Sequence, residues 1–187
     1  MPRTKSYKKE EVLEKAMNLF WKNGYETTSM KQLEAEMGIN KFSIYSSFGS
    51  KSGLLKASLA CYVQKLNIIV QKLIDANDNI DAFKQYFYDF IEFSKENNFQ
   101  KGCLITNTVN EDIKDEQEDI QNLLTYYITN LREVFAQKLK KIYDYNDIEL
   151  QEKADYLFIA MFGFSSASKV FNSKQLDNYI RHIFSQL

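Results

Sequence analysis

The sequence predicts an all-α protein of about nine helices: a three-helix head at the N-terminus, then a larger helical body. Three observations carry this. The 187-residue chain has one proline, Pro2, and six glycines, too few turn formers for a sheet or a loop-rich fold. Apolar residues recur at steps of three and four along nearly its whole length, the period of a helix with one buried face. Capping residues punctuate that pattern, with Ser29, Asn40, Asp147 and Ser173 at starts and Gly24 and Gly38 at ends,. A chain of this length buries a real core. We place a head domain at residues 1–52 and a body at 53–187, without a flexible linker between them.

The first helix runs from about Lys8 to Asn23, with Val12, Leu13, Ala16, Met17 and Phe20 as its buried stripe and Gly24 closing it. The second begins at Ser29, where Gln32 three residues on completes a capping box. Met30, Leu33 and Met37 form its apolar face, and Gly38 ends it in a left-handed turn. Asn40 caps a third helix from Lys41 to about Ser47, which turns Ile44 and Phe48 inward. After Lys51 a long fourth helix carries Leu55, Leu59, Tyr62, Leu66, Ile69 and Leu73 as a lengthwise seam, until the polar break Asn77-Asp78-Asn79. Ile80, Phe83, Phe87 and Phe90 mark a fifth helix to about Glu96, which Asn97-Asn98 ends. Gly102-Cys103-Leu104-Ile105 restarts a short helix, and the acidic stretch from Glu111 to Asp119 leads into a seventh. Its stripe is Ile120, Leu124, Tyr127/Ile128, Leu131, Phe135 and Leu139, reaching about Tyr143. Asp147 is placed to cap an eighth helix to about Phe171, with Ala154, Phe158, Met161 and Ser165 on one face. Ser173 is placed to cap the last, where Leu176, Ile180, Ile183 and Leu187 align.

The second and third helices have the punctuation of a helix-turn-helix. The short third helix leaves Lys41, Phe42, Ser43, Ser46 and Ser47 on its outer side, the small, hydroxyl-rich face that a reader of the major groove requires. Gly24-Tyr25, Thr28-Ser29, Leu33, Gly38-Ile39, Ile44-Tyr45, Phe48, and Lys51 with Leu54 resemble the N-terminal signature of TetR-family (TetR/AcrR-like) transcriptional regulators. That signature covers roughly the first quarter of the chain and fixes many residue types at fixed offsets. Two positions depart from it: Glu34 where the family carries Ala, and Phe42 where it carries a small residue. The rest is similar in length and helical character, with a local match at Gly102-Cys103-Leu104.

Charge distribution agrees with a DNA-binding head. The whole chain carries a net charge of −1, but residues 1–56 hold ten Lys/Arg against six Glu, and the remainder is acidic,. Thr28 and Ser29 stand at a helix N-terminus suited to a phosphate, Tyr45 offers a hydroxyl, and Lys51 opens the next helix. The resemblance implies that these four contact the DNA backbone, which positions the head. Lys41, Phe42, Ser43 and Ser46 are the candidates for reading bases, lysine towards guanine and Phe42 against a thymine methyl. The arm bearing Arg3, Lys5, Lys8 and Lys9 is placed to reach along the duplex. The operator would be double-stranded and palindromic, which demands two heads.

In the body, Phe83, Tyr86, Phe87, Phe90, Tyr126, Tyr127, Phe158 and Phe162 serve equally as ordinary core or as walls of a ligand pocket. The resemblance favours a pocket for a small, largely apolar effector, with the tyrosines as polar handles. Cys103 beside Lys101 has two readings: a buried hydrophobe, or a thiol that senses electrophiles or oxidants. The family forms homodimers through its last two helices, which implies contacts by Phe164, Ser165, Ser168, Ile180, Ile183 and Phe184. With one histidine, His182, and no paired carboxylates, phosphate loop or metal-spaced ligands, nothing points to an enzyme, a metal or a cofactor. No run is apolar and long enough to span a membrane, and the two cysteines suggest no disulfide framework. The expectation is a cytoplasmic, ligand-released repressor. A helical protein-interaction module without DNA binding is the alternative.

Overall fold

The computed structural model describes residues 7–96, 99–111, 113, 117–185 and 187. The arm residues Arg3 and Lys5, and the helix stop at Asn97-Asn98, lie outside them. Three helices make the head: α1 (Lys9–Asn23), α2 (Met30–Met37) and α3 (Lys41–Phe48). Then come α4 (Lys51–Asp75), α5 (Ile80–Ser94), α6 (Leu104–Val109), α7 (Gln117–Ile142), α8 (Asp147–Ala167) and α9 (Ser173–Ile183). A two-residue antiparallel ladder, β1 (Lys95–Glu96) with β2 (Phe99–Gln100), stands where the sequence predicts the last turn of α5. The chain leaves the helix at Lys95, whose backbone is extended, and the Lys101 N–H returns to the Ser94 carbonyl at 3.0 Å. The fold is otherwise the predicted all-α one.

The head is built by local code. Ser29 Oγ accepts the Gln32 N–H while the Gln32 side chain accepts the Ser29 N–H, so the capping box closes,. Gly38 turns the chain with φ 69°, a conformation that costs other residues a Cβ clash,. Asn40 and Ser50 cap α3 and α4. Leu33, Met37 and Ile44 then bury against Ala16, Met17 and Phe20 of α1 and Leu54 and Leu55 of α4, in one continuous core. Glu34 has a role that its spacing did not suggest. Its carboxylate accepts the Lys41 backbone N–H and pins the start of α3 to α2,.

The body is built by ring packing. All six seam residues of α4 are buried. Phe87 lies 5.2 Å from Phe164 and 5.3 Å from Phe184, and Phe83 meets Phe135 edge-on at 5.4 Å,. Lys138 is 97 % hidden from solvent (3 % exposed) and donates to the Ile74 and Ala76 carbonyls and, at 2.8 Å, to Asp78. It thus places a cation on the carbonyl end of α4. α8 and α9 are capped by Asn146 and Asn172, each one residue before the expected Asp147 and Ser173; both make full capping boxes, with Glu149 and Gln175. α8 stops at Ala167 rather than near Phe171, because the Lys169 and Val170 N–H groups tighten onto the carbonyls three residues back, Ser166 and Ala167,.

The residues expected at a dimer interface face inward. Phe164, Ser165, Ser168, Ile180, Ile183 and Phe184 are all buried within the single chain, where Phe164 and Phe184 enclose Phe87. The 3.6-residue period marks a buried face without saying what buries it. The exposed side of the same helices carries Tyr156, Ile159, Gly163 and Tyr179, with Val170 exposed in the turn between them.

Candidate DNA-binding head and effector cavity

On the head, α3 presents Lys41, Phe42, Tyr45 and Ser46 to solvent, with Phe42 81 % exposed. An aromatic ring left that open gains nothing from the fold itself, so its value lies in what the helix meets. Ser43 is half-buried, and its N–H is held by the Asn40 cap at 2.9 Å. The Lys41 ammonium lies over the Tyr45 ring, 5.6 Å from its centre, so the two share one side of the helix,. Lys51 sits 4.2 Å over the Tyr25 ring; burial lowers its pKa, partly offset by Glu26 and Glu111.

Thr28 and Ser29 do not behave alike. Thr28 is fully buried, its hydroxyl donating to the Gly24 carbonyl at 2.5 Å, which leaves nothing for a phosphate. Ser29 is exposed, but its hydroxyl is held in the capping box. What α2 offers a phosphate is therefore its first backbone N–H groups rather than these side chains. The Tyr7 hydroxyl meets Ser47 at 2.8 Å and anchors the described start of the chain on α3.

In the body, a cavity of about 30 Å³ lies among Tyr86, Phe90, Cys103, Tyr127, Phe158 and Phe162, with Leu66, Ile105, Thr106, Met161 and Ser165 completing much of its wall. It is the size of a water or two. Five of the eight aromatic residues proposed for a pocket thus come together, and Cys103 joins them. Phe83 and Phe87 do not, since they turn to the aromatic stack with Phe135 and Phe184. Tyr126 is 72 % exposed and lines a groove outside. It neighbours Tyr127 in sequence and therefore points about 100° away around the helix. Ser165 reaches the cavity instead of a dimer partner, its hydroxyl 3.0 Å from Thr106 Oγ1.

Cys103 is buried at the residue before α6, and its side chain makes no capping bond to the helix. Nearby, the hydroxyls of Tyr62 and Tyr127 are buried without a hydrogen-bond partner. Burial pushes the pKa of Tyr62, Tyr86 and Tyr127 well up, so all three stay protonated and can donate,.

The stretch around α6 also holds the head. Trp21 Nε1 donates to the Gly102 carbonyl at 3.1 Å, and the Lys101 ammonium lies 4.8 Å from the centre of the Trp21 ring. Glu111 accepts the N–H groups of Tyr25 at 2.7 Å and Glu26 at 3.0 Å, using the turn after α1 as an anion site,. Gly102 has φ 67°, and a Cβ there would lie 2.9 Å from the Ser165 carbonyl. Glu111 and Trp21 gave no sequence signal for these contacts, because their partners lie 40 or more residues away.

A capped two-helix reader with its second helix exposed, carried on a third helix, defines a helix-turn-helix DNA-binding protein. Residues 12–58 match the family of bacterial regulatory proteins described as the tetR family. IcaR of Staphylococcus aureus (strain Newman), the HTH-type negative transcriptional regulator of the biofilm operon icaADBC, is 25% identical over 155 residues, 82% of this chain and 79% of its own. YezE of Bacillus subtilis (strain 168), an uncharacterised HTH-type transcriptional regulator, is 28% identical over 119 residues, 63% of this chain and 61% of its own. In fold, a cysteine mutant of the TetR family regulator CifR, solved on a 26-base-pair operator DNA, superposes with a TM-score of 0.85 at 22% identity, covering 97% of both chains. Reduced NemR of E. coli superposes with a TM-score of 0.78 at 18% identity, covering 93% of both. The head thus carries the tetR-family DNA-binding region, and the whole chain shares its fold with TetR-family regulators. It is a DNA-binding transcriptional regulator and not an enzyme.

Proposed function

We propose that the chain is a homodimeric repressor, released from a palindromic operator by a small, largely apolar effector. The observation that carries this is the continuity of α6 with both sites: Cys103, Ile105 and Thr106 line the cavity, while Gly102 and Glu111 on either side hold α1 and the turn after it. Enlarging the cavity has to displace the segment that fixes the head. The effector then acts by its differential affinity for the displaced state.

Residues 1–52 form the DNA-binding domain and 53–187 the effector and dimerisation domain, the boundary falling in the first turn of α4. Lys41, Phe42 and Ser46 read bases, with Ser43 beside them. Tyr45, Lys51 and the N-terminus of α2 behind Ser29 bind phosphates. Dimerisation uses the outer stripe of α8 and α9, namely Tyr156, Ile159, Gly163 and Tyr179, with Val170 in the turn between them, whose exposure in a single chain supports an interface,. No helix among the described residues is long and apolar enough to cross a membrane, and a regulator of this kind works in the cytoplasm, where its operator is.

The test is binding to the DNA flanking the protein's own gene across a salt series. Lys51→Ala should weaken binding about tenfold and lower the salt slope by about one. Tyr45→Phe should weaken it less, and Ile159→Glu should leave a monomer by sedimentation that no longer binds the full site. Affinity equal to that for random DNA at every salt, in protein freed of bound ligand, would sink the reading.

A further inference from the structure

The cavity of about 30 Å³ is far too small for an effector, yet a groove of about 370 Å³ runs along its outside between α4 and α7. Ala60, Val63, Val70, Leu123 and Val134 give the groove an apolar wall, with Asn67 and Asn130 as its amides and Tyr126 at the edge. Only Tyr127 and Leu131 belong to both spaces. They stand one turn apart on α7 and form the partition between groove and cavity. We propose that the groove and the cavity are two halves of one binding site, opened by movement of Tyr127, for a neutral aromatic molecule bearing an acceptor oxygen. This rests on the reading of the body as an effector domain.

Three observations support it. First, the Tyr127 hydroxyl is fully enclosed and makes no hydrogen bond. It lies beside the Tyr86 hydroxyl on the cavity side, without reaching full hydrogen-bond geometry. A buried donor left without an acceptor costs stability that a ligand oxygen would restore, and it weakens the hold on the closed rotamer. Second, no acidic, basic or histidine side chain lines either half. Three other grooves do carry such side chains: Glu111 in one, His182 in another, and Lys22, Glu111 and Lys169 together in the third. Transferring a charged ligand into this site would leave its charge uncompensated, so the site selects neutral molecules. Third, the joined space reaches the few hundred cubic ångströms that small-molecule sites occupy, and the rings on its cavity side (Tyr86, Phe90, Tyr127, Phe158, Phe162) suit a planar group entering from the aliphatic groove,.

Benzophenone is a suitable probe: a neutral aromatic ketone with one acceptor oxygen, whose photoexcited carbonyl bonds covalently to adjacent C–H groups. Titration calorimetry on the purified full-length chain should give saturable binding of one molecule per chain. Cross-links, mapped by mass spectrometry, should fall on α4 and α7 peptides containing Val63 and Leu131. The anionic analogue 4-benzoylbenzoate should bind at least about tenfold more weakly. Tyr127→Phe should weaken benzophenone about tenfold but leave diphenylmethane, which lacks the oxygen, unchanged. Val63→Trp, on the groove wall, should abolish cross-linking while the chain keeps its thermal midpoint. Absence of saturable binding, cross-links confined to α8 and α9, or equal affinity for ketone and carboxylate would each overturn the proposal. Operator binding with the probe present separates the two readings. Binding at this site without any change in operator affinity leaves the site intact and removes the effector reading.

Discussion

The head and the body of this chain are held together by different means. In the head, geometry is set by residues a few positions apart: the Ser29–Gln32 capping box, left-handed Gly38, the Asn40 cap, and the Glu34 carboxylate that pins α3. In the body, it is set by rings from distant helices, with Phe87 between Phe164 and Phe184 and Phe83 against Phe135. A head fixed locally keeps its shape while it is carried about, as a rigid reader of DNA must. A body fixed mainly by packing gives way when a ligand offers it a different packing, as the proposed release by an effector requires.

The sharpest way to break this contrast is Phe87→Ala. Removing a fully buried ring that two others enclose should cost about 3–5 kcal/mol in urea unfolding; a loss under about 1 kcal/mol would mean that ring packing does not hold the body. Lys138→Met tests a buried polar fastening there and should cost about 2 kcal/mol. The same variant has a pH signature. The Lys138 ammonium holds the Asp78 carboxyl below its usual pKa, chiefly by a hydrogen bond. Ionised Asp78 therefore adds stability above the unfolded carboxylate pKa of about 4, and that stability fades as pH falls through the lower folded value. Lys138→Met should flatten this part of the acid limb. The smallest effect belongs to the head: Ser29→Ala should cost about 1 kcal/mol, with faster hydrogen exchange confined to the first turn of α2. Loss of protection throughout α5 and α7 as well would show the two regions to be less separate than described.

The same contrast decides what was legible in the sequence. The head was readable nearly to the residue, because caps and turn glycines act within four positions. The exceptions were Glu34, whose partner lies seven residues on, and Thr28, which resembles a phosphate contact but is consumed by the Gly24 carbonyl. In the body, periodicity found the buried faces of α7, α8 and α9 but not which helix covers them. The six interface candidates therefore turned out to be core, and Ser165 a cavity residue. Tyr126 and Tyr127 are adjacent letters with opposite fates, one exposed and one sealed. The hold of Glu111 on Tyr25 and Glu26 spans 86 and 85 residues and had no local trace.

Gly102 has a consequence for how such a chain varies over generations. Its backbone passes between Trp21 and α8, and even one methyl group there would meet the Ser165 carbonyl. Cavity walls can be exchanged to suit a new effector and α3 rewritten for a new operator, each at little cost to the other. Position 102 has no such freedom, since both lineages of change pass through it. Descendants that respond to quite different signals should still share this glycine, and one that has lost it should have lost its responsiveness first.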